Sequence, residues 1–171
     1  AGCTHLVQAA GFALIEQNAS GLGNAYAGQA AAATDASTVF FNPAGMGLLP
    51  DAQLVVAGNL IKPSAEFQNG GSTAAPLQTL GGTGGDAGGL ALVPNFYYVH
   101  PVSKELALGI GMNAPFGLKT EYDQSWMGRF QAVKSEVKTI NLNPSLSYKV
   151  NDRTILGVGL NGQYIEATLT N

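Results

Sequence analysis

The stretch TINLNPSLSYKV, residues 139–150, decides the fold because apolar and polar residues alternate along it. One set of alternate positions is apolar and contains Ile140, Leu142, Leu146, Tyr148 and Val150. The other set is polar and contains Asn141, Asn143, Ser145, Ser147 and Lys149. A period of two predicts a β-strand with one apolar and one polar face. The apolar face lies either in the core of a soluble sandwich or against the lipid around an outer-membrane barrel.

The composition favours a protein whose surface is partly hidden from water. The chain has 171 residues, of which 46% are hydrophobic and only 11% are charged, whereas soluble domains are about 25% charged. No apolar run approaches the roughly 18 residues of a transmembrane helix, so a closed β-barrel is the remaining way to span a bilayer. The net charge of −3 without a basic patch excludes nucleic acid as an expected partner.

The sequence offers no catalytic constellation. His5 and His100 are the only histidines, and Cys3 is the only cysteine, so neither a metal cluster nor a disulfide is expected. The stretch Gly157–Gly162 matches G-x-G-x-x-G, but it falls within a predicted strand and not between a strand and a helix. We therefore expect no enzyme activity, no catalytic residues, no metal and no cofactor.

The first 49 residues lack strand alternation. Residues 1–9 are typical of the tail of a signal peptide, because Val7-Gln8-Ala9 is a small-residue cleavage site. A lipoprotein start at Ala1-Gly2-Cys3 is the less favoured alternative. Residues 10–49 are rich in Gly and Ala and predict short helical turns, so they form a separate block ahead of the strands.

Strand patterns begin near residue 52 and are separated by connections that alternate in length. We predict strands over residues 52–67, 90–101, 104–118, 133–150 and 153–169. The connections are long over 68–89 and 119–132, and short over 102–104 and 151–152. Long loops at one end and short turns at the other are typical of an up-and-down transmembrane barrel. This pattern favours the membrane interpretation.

Two features of the predicted strands concern the barrel interior. Small residues alternate with large apolar ones in the third and fifth strands, at Gly109, Gly111, Gly157 and Gly159, which leaves space for a plug or a ligand. Pro115 follows a regular strand pattern and removes a ladder donor, so pairing should break there. The break is either the end of a strand at the outer rim or a kink that opens a gap in the wall, and the residues leave both interpretations open.

Several motifs together resemble the FadL/TodX family of outer-membrane hydrocarbon transporters. Those that resemble the family's N-terminal hatch are Ala10-Gly11-Phe12, the stretch Ser20–Gly28 and Asn42-Pro43-Ala44. Those that resemble its barrel strands and loops are Asn113–Leu118, Trp126–Phe130 and Thr139–Ser145.

This resemblance implies an all-β fold, the N-terminal part of a monomeric 14-stranded transmembrane antiparallel barrel. Residues 10–49 would form a short-helical hatch and residues 50–171 about the first five strands. The family resides in the Gram-negative outer membrane, among lipid and lipopolysaccharide. It takes up long-chain fatty acids or related hydrocarbons passively, without nucleotide or ion coupling. Since about five strands fit here, we expect the chain to be an N-terminal piece of a longer protein.

The resemblance also assigns roles to residues of this chain. The hatch motif is Asn42, Pro43 and Ala44; the kink for lateral exit is Asn113, Ala114, Pro115, Phe116 and Gly117; the substrate-pocket residue is Phe12. The alternative function is a non-transporting structural or adhesin-type barrel, and a soluble β-domain enzyme is a third hypothesis. Four basic residues, Lys119, Arg129, Lys134 and Lys138, either meet a substrate carboxylate or, as we favour, lie at the rim.

Overall fold

A computed structural model of the protein describes residues 13–171, which form one antiparallel sheet with a short-helical block before it. The strands are β1 (Gln53–Ile61), β2 (Ala91–Pro101), β3 (Leu106–Asn113), β4 (Gly117–Glu121), β5 (Lys134–Asn151), β6 (Thr154–Gly159) and β7 (Gly162–Thr170). The helices are α1 (Ala19–Leu22), α2 (Thr38–Phe41) and a 3₁₀ helix (Pro43–Leu48). The predicted signal-peptide tail and Phe12 lie outside the described residues.

The faces of β5 have the polarity of a membrane wall. Its apolar side chains are between 39% and 56% exposed, and they are Ile140, Leu142, Leu146, Tyr148 and Val150. Its polar side chains on the other face are at most 8% exposed, and they are Thr139, Asn141, Asn143, Ser145 and Ser147. Ten residues at about 3.3 Å each, tilted by about 40°, give an apolar band about 25 Å tall, the height of a barrel's lipid-facing band. Among the described residues, no helix is both long and apolar enough to cross a membrane.

The prediction of one continuous third strand over 104–118 is wrong, because the structure divides it into β3 and β4. Both pair with the same side of β5, with Asn113 opposite Asn141 and Gly117 opposite Lys138. Three residues of this segment therefore face two residues of β5. The extra residue reverses the alternation, so the outward side chains are even-numbered in β3 and odd-numbered in β4.

The predicted fifth strand over 153–169 is also divided, but for a different reason. Ser145 is opposite Gly159 and Leu142 is opposite Gly162, so the register continues unchanged across the gap between β6 and β7. The backbone N–H of Leu160 donates to the Pro144 carbonyl at 3.0 Å. Proline has no N–H to return, so one ladder bond is missing. The break between β6 and β7 is therefore caused by Pro144 on the neighbouring strand, β5.

The N-terminal block, residues 13–49, packs against the inner face of the sheet. The shared apolar core contains Ala36, Val39, Met46, Leu49, Tyr97, Val99 and Ala107. A Cβ atom at Gly109 would overlap the Met46 sulfur, and one at Gly157 would overlap the Ala44 backbone. The space left by small inward residues is therefore filled by the block.

Candidate functional site

The sheet, which we call the wall, is interrupted between β3 and β4, where backbone pairing with β5 stops and starts again. The structure places all five residues of the expected kink, Asn113 to Gly117, at this point. The Thr139 hydroxyl on β5 accepts a hydrogen bond from the Phe116 N–H at 2.9 Å and donates one to the Phe116 carbonyl at 2.6 Å. The Thr139 side chain thus takes the place of the backbone partner that Phe116 lacks on β5.

The other side of the interruption is covered by a segment that we call the strap, residues 13–18. Ala13 forms an isolated antiparallel bridge with Phe116. The Leu14 N–H donates to the Pro115 carbonyl at 3.0 Å. The strap therefore pairs with the interruption as a short strand would, on the side away from β5.

Side chains from β1 and β2 hold the strap in place. The carboxamide groups of Asn59 and Asn95 both donate to the Glu16 carbonyl, at 2.7 and 2.6 Å. The hydroxyl of Tyr97 donates to Gln17 Oε1. Because Asn95 and Tyr97 are almost fully buried, these bonds are shielded from water and fix the position of the strap.

A row of amide side chains continues from the strap along the inner face of the wall. Gln17 Oε1 accepts from Asn113 Nδ2 at 3.1 Å, and Asn113 Oδ1 accepts from Asn141 Nδ2 at 3.0 Å. Asn161 Oδ1 then accepts from both Asn141 Nδ2 and Asn143 Nδ2, each at 2.9 Å. This amide row (Gln17, Asn113, Asn141, Asn161 and Asn143) links the strap to both divided strands.

The Asn42-Pro43-Ala44 motif lies elsewhere on the wall. Asn42 Oδ1 accepts from the Ala44 N–H at 3.2 Å and so caps the 3₁₀ helix, while Asn42 Nδ2 donates to the Ala30 carbonyl at 2.9 Å. The Ser147 hydroxyl on β5 donates to the Ala44 carbonyl at 3.3 Å. Ser147 is seven residues from Ile140, which lies opposite the interruption, so the two positions are about 23 Å apart along the strand. The structure does not bring the motif and the interruption together.

A cavity of about 360 Å³ separates this motif from part of the amide row. Val39 and Pro43 line it from the block, and Asn143 and Gly159 line it from the wall. It is a mixed surface, with apolar side chains on one side and carboxamides on the other.

Three of the four basic residues considered in the sequence point away from the interior, and the fourth lies in the loops. Lys119 pairs with Glu121 at 3.0 Å, and Glu136 pairs with Lys134 at 2.9 Å and with Lys138 at 3.0 Å. The strand registers place all five side chains on the outward face, beyond the apolar band. Arg129 is engaged in the loops, where its guanidinium donates to the carbonyls of Thr79, Leu80 and Trp126.

The two long loops pack on each other at the same end of the sheet. Trp126 stacks on Tyr122 with 4.0 Å between ring centroids, and Phe67 meets Trp126 edge-on. In the first loop, the Asp86 carboxylate accepts from the N–H groups of Ala65 and Gly88 at 2.8 and 2.9 Å. These bonds favour the ionised form and lower the pKa of Asp86 below its ordinary value.

The strap and the amide row are not predicted by any motif or periodicity in the sequence. The alternation predicts that the asparagines of β5 and Asn161 lie on inward faces, but no pattern predicts that they bond to one another or to Gln17. Gln17 had no local signal, since Asn113 is 96 residues further along the chain.

An antiparallel wall with an apolar outer face and an inner block of short helices defines the class as an outer-membrane β-barrel. The whole chain, residues 1–171, matches the model of the outer membrane protein transport family OMPP1/FadL/TodX. The chain belongs to this family, and it is a protein of the Gram-negative outer membrane.

Individual relatives agree with this assignment. Outer membrane protein P1 of Haemophilus influenzae is 40% identical over 93% of this chain and 37% of its own length. The long-chain fatty acid transport protein of Escherichia coli K12 is 29% identical over 94% of this chain and 35% of its own. The crystal structure of a FadL homologue from Pseudomonas aeruginosa superimposes with a TM-score of 0.74 and 32% identity, covering 94% of this chain and 39% of that one. The chain thus spans little more than a third of these relatives.

Proposed function

We propose that this chain forms the first part of a passive outer-membrane channel for hydrophobic molecules, namely long-chain fatty acids or related hydrocarbons. Substrate leaves the barrel sideways through the interruption between β3 and β4. The observation that carries this proposal is the hydrogen bond from the Leu14 N–H to the Pro115 carbonyl. This bond supports the proposal because it joins the interruption to the strap, a segment that is not itself a strand of the sheet.

Lateral exit agrees with the physical chemistry of the substrate. Each CH₂ group that moves from water into the membrane interior gains about 0.8 kcal/mol, so a long chain is drawn out of the lumen without any energy source. Unpaired backbone groups cannot face lipid, but they are tolerated beside a cavity or an inner block. Here Thr139 and the strap provide those partners when the gap is closed.

The remaining assignments are part of the same proposal. Residues 10–49 form the hatch, and Asn42, Pro43 and Ala44 seat it on β5 and β6 without contacting substrate. Phe12 directly precedes Ala13 in the sequence, and we keep it as the substrate-pocket residue. We further propose a monomeric barrel surrounded by lipid and lipopolysaccharide, with no enzymatic step.

An engineered disulfide that reversibly locks the strap to the wall tests the proposal. Ala13 and Phe116 are directly opposed in an antiparallel bridge, where Cα atoms lie about 4.5–5.5 Å apart, within the range of a disulfide. The full-length protein would carry Ala13→Cys and Phe116→Cys in a Cys3→Ser background. Uptake of a fatty acid and of an alkane into cells lacking their own transporter should be lost under oxidation and restored by a reductant.

The two single-cysteine variants are the matched controls, because they change the same side chains without forming a lock. If the oxidised double variant forms the disulfide and still takes up substrate at the wild-type rate, lateral exit at this point is wrong. If the wild-type protein itself raises the uptake of neither probe, the alternative of a non-transporting structural or adhesin-type barrel replaces it.

A further inference from the structure

The carboxamide groups of the amide row have a fixed orientation, because the group at each end donates to a backbone carbonyl. Gln17 Nε2 donates to the Leu14 carbonyl at 3.0 Å, and Asn143 Nδ2 donates to the Leu160 carbonyl at 3.2 Å. A carbonyl oxygen only accepts, so the nitrogen of each of these two amides must point to it. Every other amide orientation in the row then follows from the hydrogen-bond network.

This orientation leaves one acceptor without a donor. Asn141 Nδ2 donates to Asn113 Oδ1 and to Asn161 Oδ1, so both of its hydrogens are used. Among residues 13–171, Asn141 Oδ1 has no hydrogen-bond partner, although the residue is only 5% exposed. A buried acceptor without a donor is costly and needs an explanation. It lies opposite Asn113, the last residue before the interruption.

The surroundings disfavour a negatively charged ligand at this acceptor. Lys119, Lys134 and Lys138 point outward, and Arg129 is bound to loop carbonyls. On the inner side, the strap carries another buried acceptor, Glu16 Oε2, which has no hydrogen-bond partner among residues 13–171. A carboxylate only accepts hydrogen bonds, so it would have no donor to offer to Asn141 Oδ1. A protonated carboxylic acid, in contrast, has one O–H donor to offer.

We propose that Asn141 is a positioning residue that receives the protonated carboxyl group of a fatty acid at the interruption. The acid takes its proton from water in the lumen, and its O–H donates to Asn141 Oδ1. Because Gln17 belongs to both the strap and the amide row, withdrawal of the strap is the event that uncovers this acceptor. The acid then enters the membrane uncharged, which avoids the large cost of moving a carboxylate into hydrocarbon.

This inference rests on the proposed lateral exit. Uptake of three probes of equal chain length distinguishes a failure of the inference from a failure of the proposed function. The probes are hexadecanoic acid, methyl hexadecanoate and hexadecane, supplied to cells that express the full-length protein. Asn141→Leu should lower uptake of the acid about fivefold to tenfold relative to hexadecane, the effect of one lost hydrogen bond. The ester has no O–H donor, so its uptake relative to hexadecane should be unchanged by the same substitution.

Asn143→Leu is the matched control, because it also breaks the amide row but leaves the Asn141 acceptor in place. It should preserve the ratio of acid to alkane uptake. If Asn141→Leu lowers all three probes equally, or leaves that ratio unchanged, Asn141 is only structural and the inference is overturned. If the wild-type protein moves none of the probes, the proposed function itself has failed.

A measurement on the wild-type protein keeps the inference testable if Asn141→Leu does not fold. Infrared spectra of hexadecanoic acid labelled with ¹³C at C1 and bound to the full-length protein distinguish protonated from ionised acid. We expect a protonated-acid band at neutral pH. If all bound label is carboxylate, the inference is overturned.

Discussion

Gly157 of the wall and Ala44 of the N-terminal block touch backbone to backbone. A Cβ atom added at Gly157 would overlap the Ala44 nitrogen and would lie 2.6 Å from the Pro43 carbonyl carbon. The Asn-Pro-Ala motif is therefore seated on a place in β6 that only glycine can provide. The amide cap made by Asn42 holds the first turn of the 3₁₀ helix in the shape that fits there.

We expect Gly157→Ala to displace the motif from the wall, because overlap with backbone cannot be relieved by a change of rotamer. Overpacking of this kind costs about 1–3 kcal/mol. Thermal unfolding of the full-length protein in detergent should shift to lower temperature, and protease should cut residues 30–48 faster. Gly162→Ala is the control, since the nearest atom to its Cβ would be the Leu142 oxygen at 3.9 Å. Equal effects of the two substitutions would contradict the close packing.

Thr139→Val should loosen the interruption while preserving the shape of the side chain. The substitution removes both hydrogen bonds to Phe116, and a backbone group left unpaired costs about 1–3 kcal/mol. Hydrogen exchange at the Phe116 amide should become at least tenfold faster. Thr154→Val, at the exposed start of β6, is the control and should leave this amide unchanged. Unaltered exchange in Thr139→Val would show that the strap alone protects Phe116.

Asn143 and Pro144 should show coupled effects on stability. Asn143 Nδ2 donates to the Leu160 carbonyl, which has no backbone donor from β5 because Pro144 has no N–H. Asn143→Ala should therefore cost about 1 kcal/mol in the wild type and clearly less in a Pro144→Val background, where a backbone N–H is restored. The free energy of unfolding of the four proteins measures the coupling. Strictly additive effects would mean that the Asn143 side chain does not replace the missing donor.

The first long loop should lose order in acid. The N–H groups of Ala65 and Gly88 lower the pKa of Asp86 from its ordinary value of 3.8 in the folded protein. Stabilisation by a carboxylate with a lowered pKa is present above the ordinary pKa and is lost as the pH falls through the folded value. Hydrogen exchange at Ala65 and Gly88, corrected for its intrinsic pH dependence, should increase as the pH falls below about 4. Asp86→Asn, which keeps an acceptor but does not titrate, should abolish this pH dependence.

The prediction of a membrane-type antiparallel sheet is confirmed, and β5 explains why it was possible. One face of β5 is apolar and the other is polar because the two faces lie in different environments, so the strand is visible as an alternation in the sequence. The division of β6 and β7 could not be predicted from their own residues, because its cause is Pro144 on the adjacent strand. Pro115 signalled a weak point, but the extra residue and the reversed alternation after it depend on the register with β5.

The closing contacts were beyond sequence analysis for a related reason. Glu16 and Gln17 have no periodicity or motif that marks them, and each acts through partners far along the chain. Asn95 is 79 residues from Glu16, and Asn113 is 96 residues from Gln17. Such pairs become visible only when the sheet brings the segments together.

These separations also have a consequence for the order of folding. The strap and the Asn-Pro-Ala motif are synthesised before the strands that they bind, and their hydrogen-bond partners on those strands follow 43 to 103 positions later. Contacts of such long range are slow to form, because the chain loses much entropy before any contact compensates for it. The N-terminal block must therefore wait for β1, β2, β3, β5 and β6 to assemble before it has a surface to bind. The strap and the motif are thus made before the strands that bind them, but they reach their places after those strands.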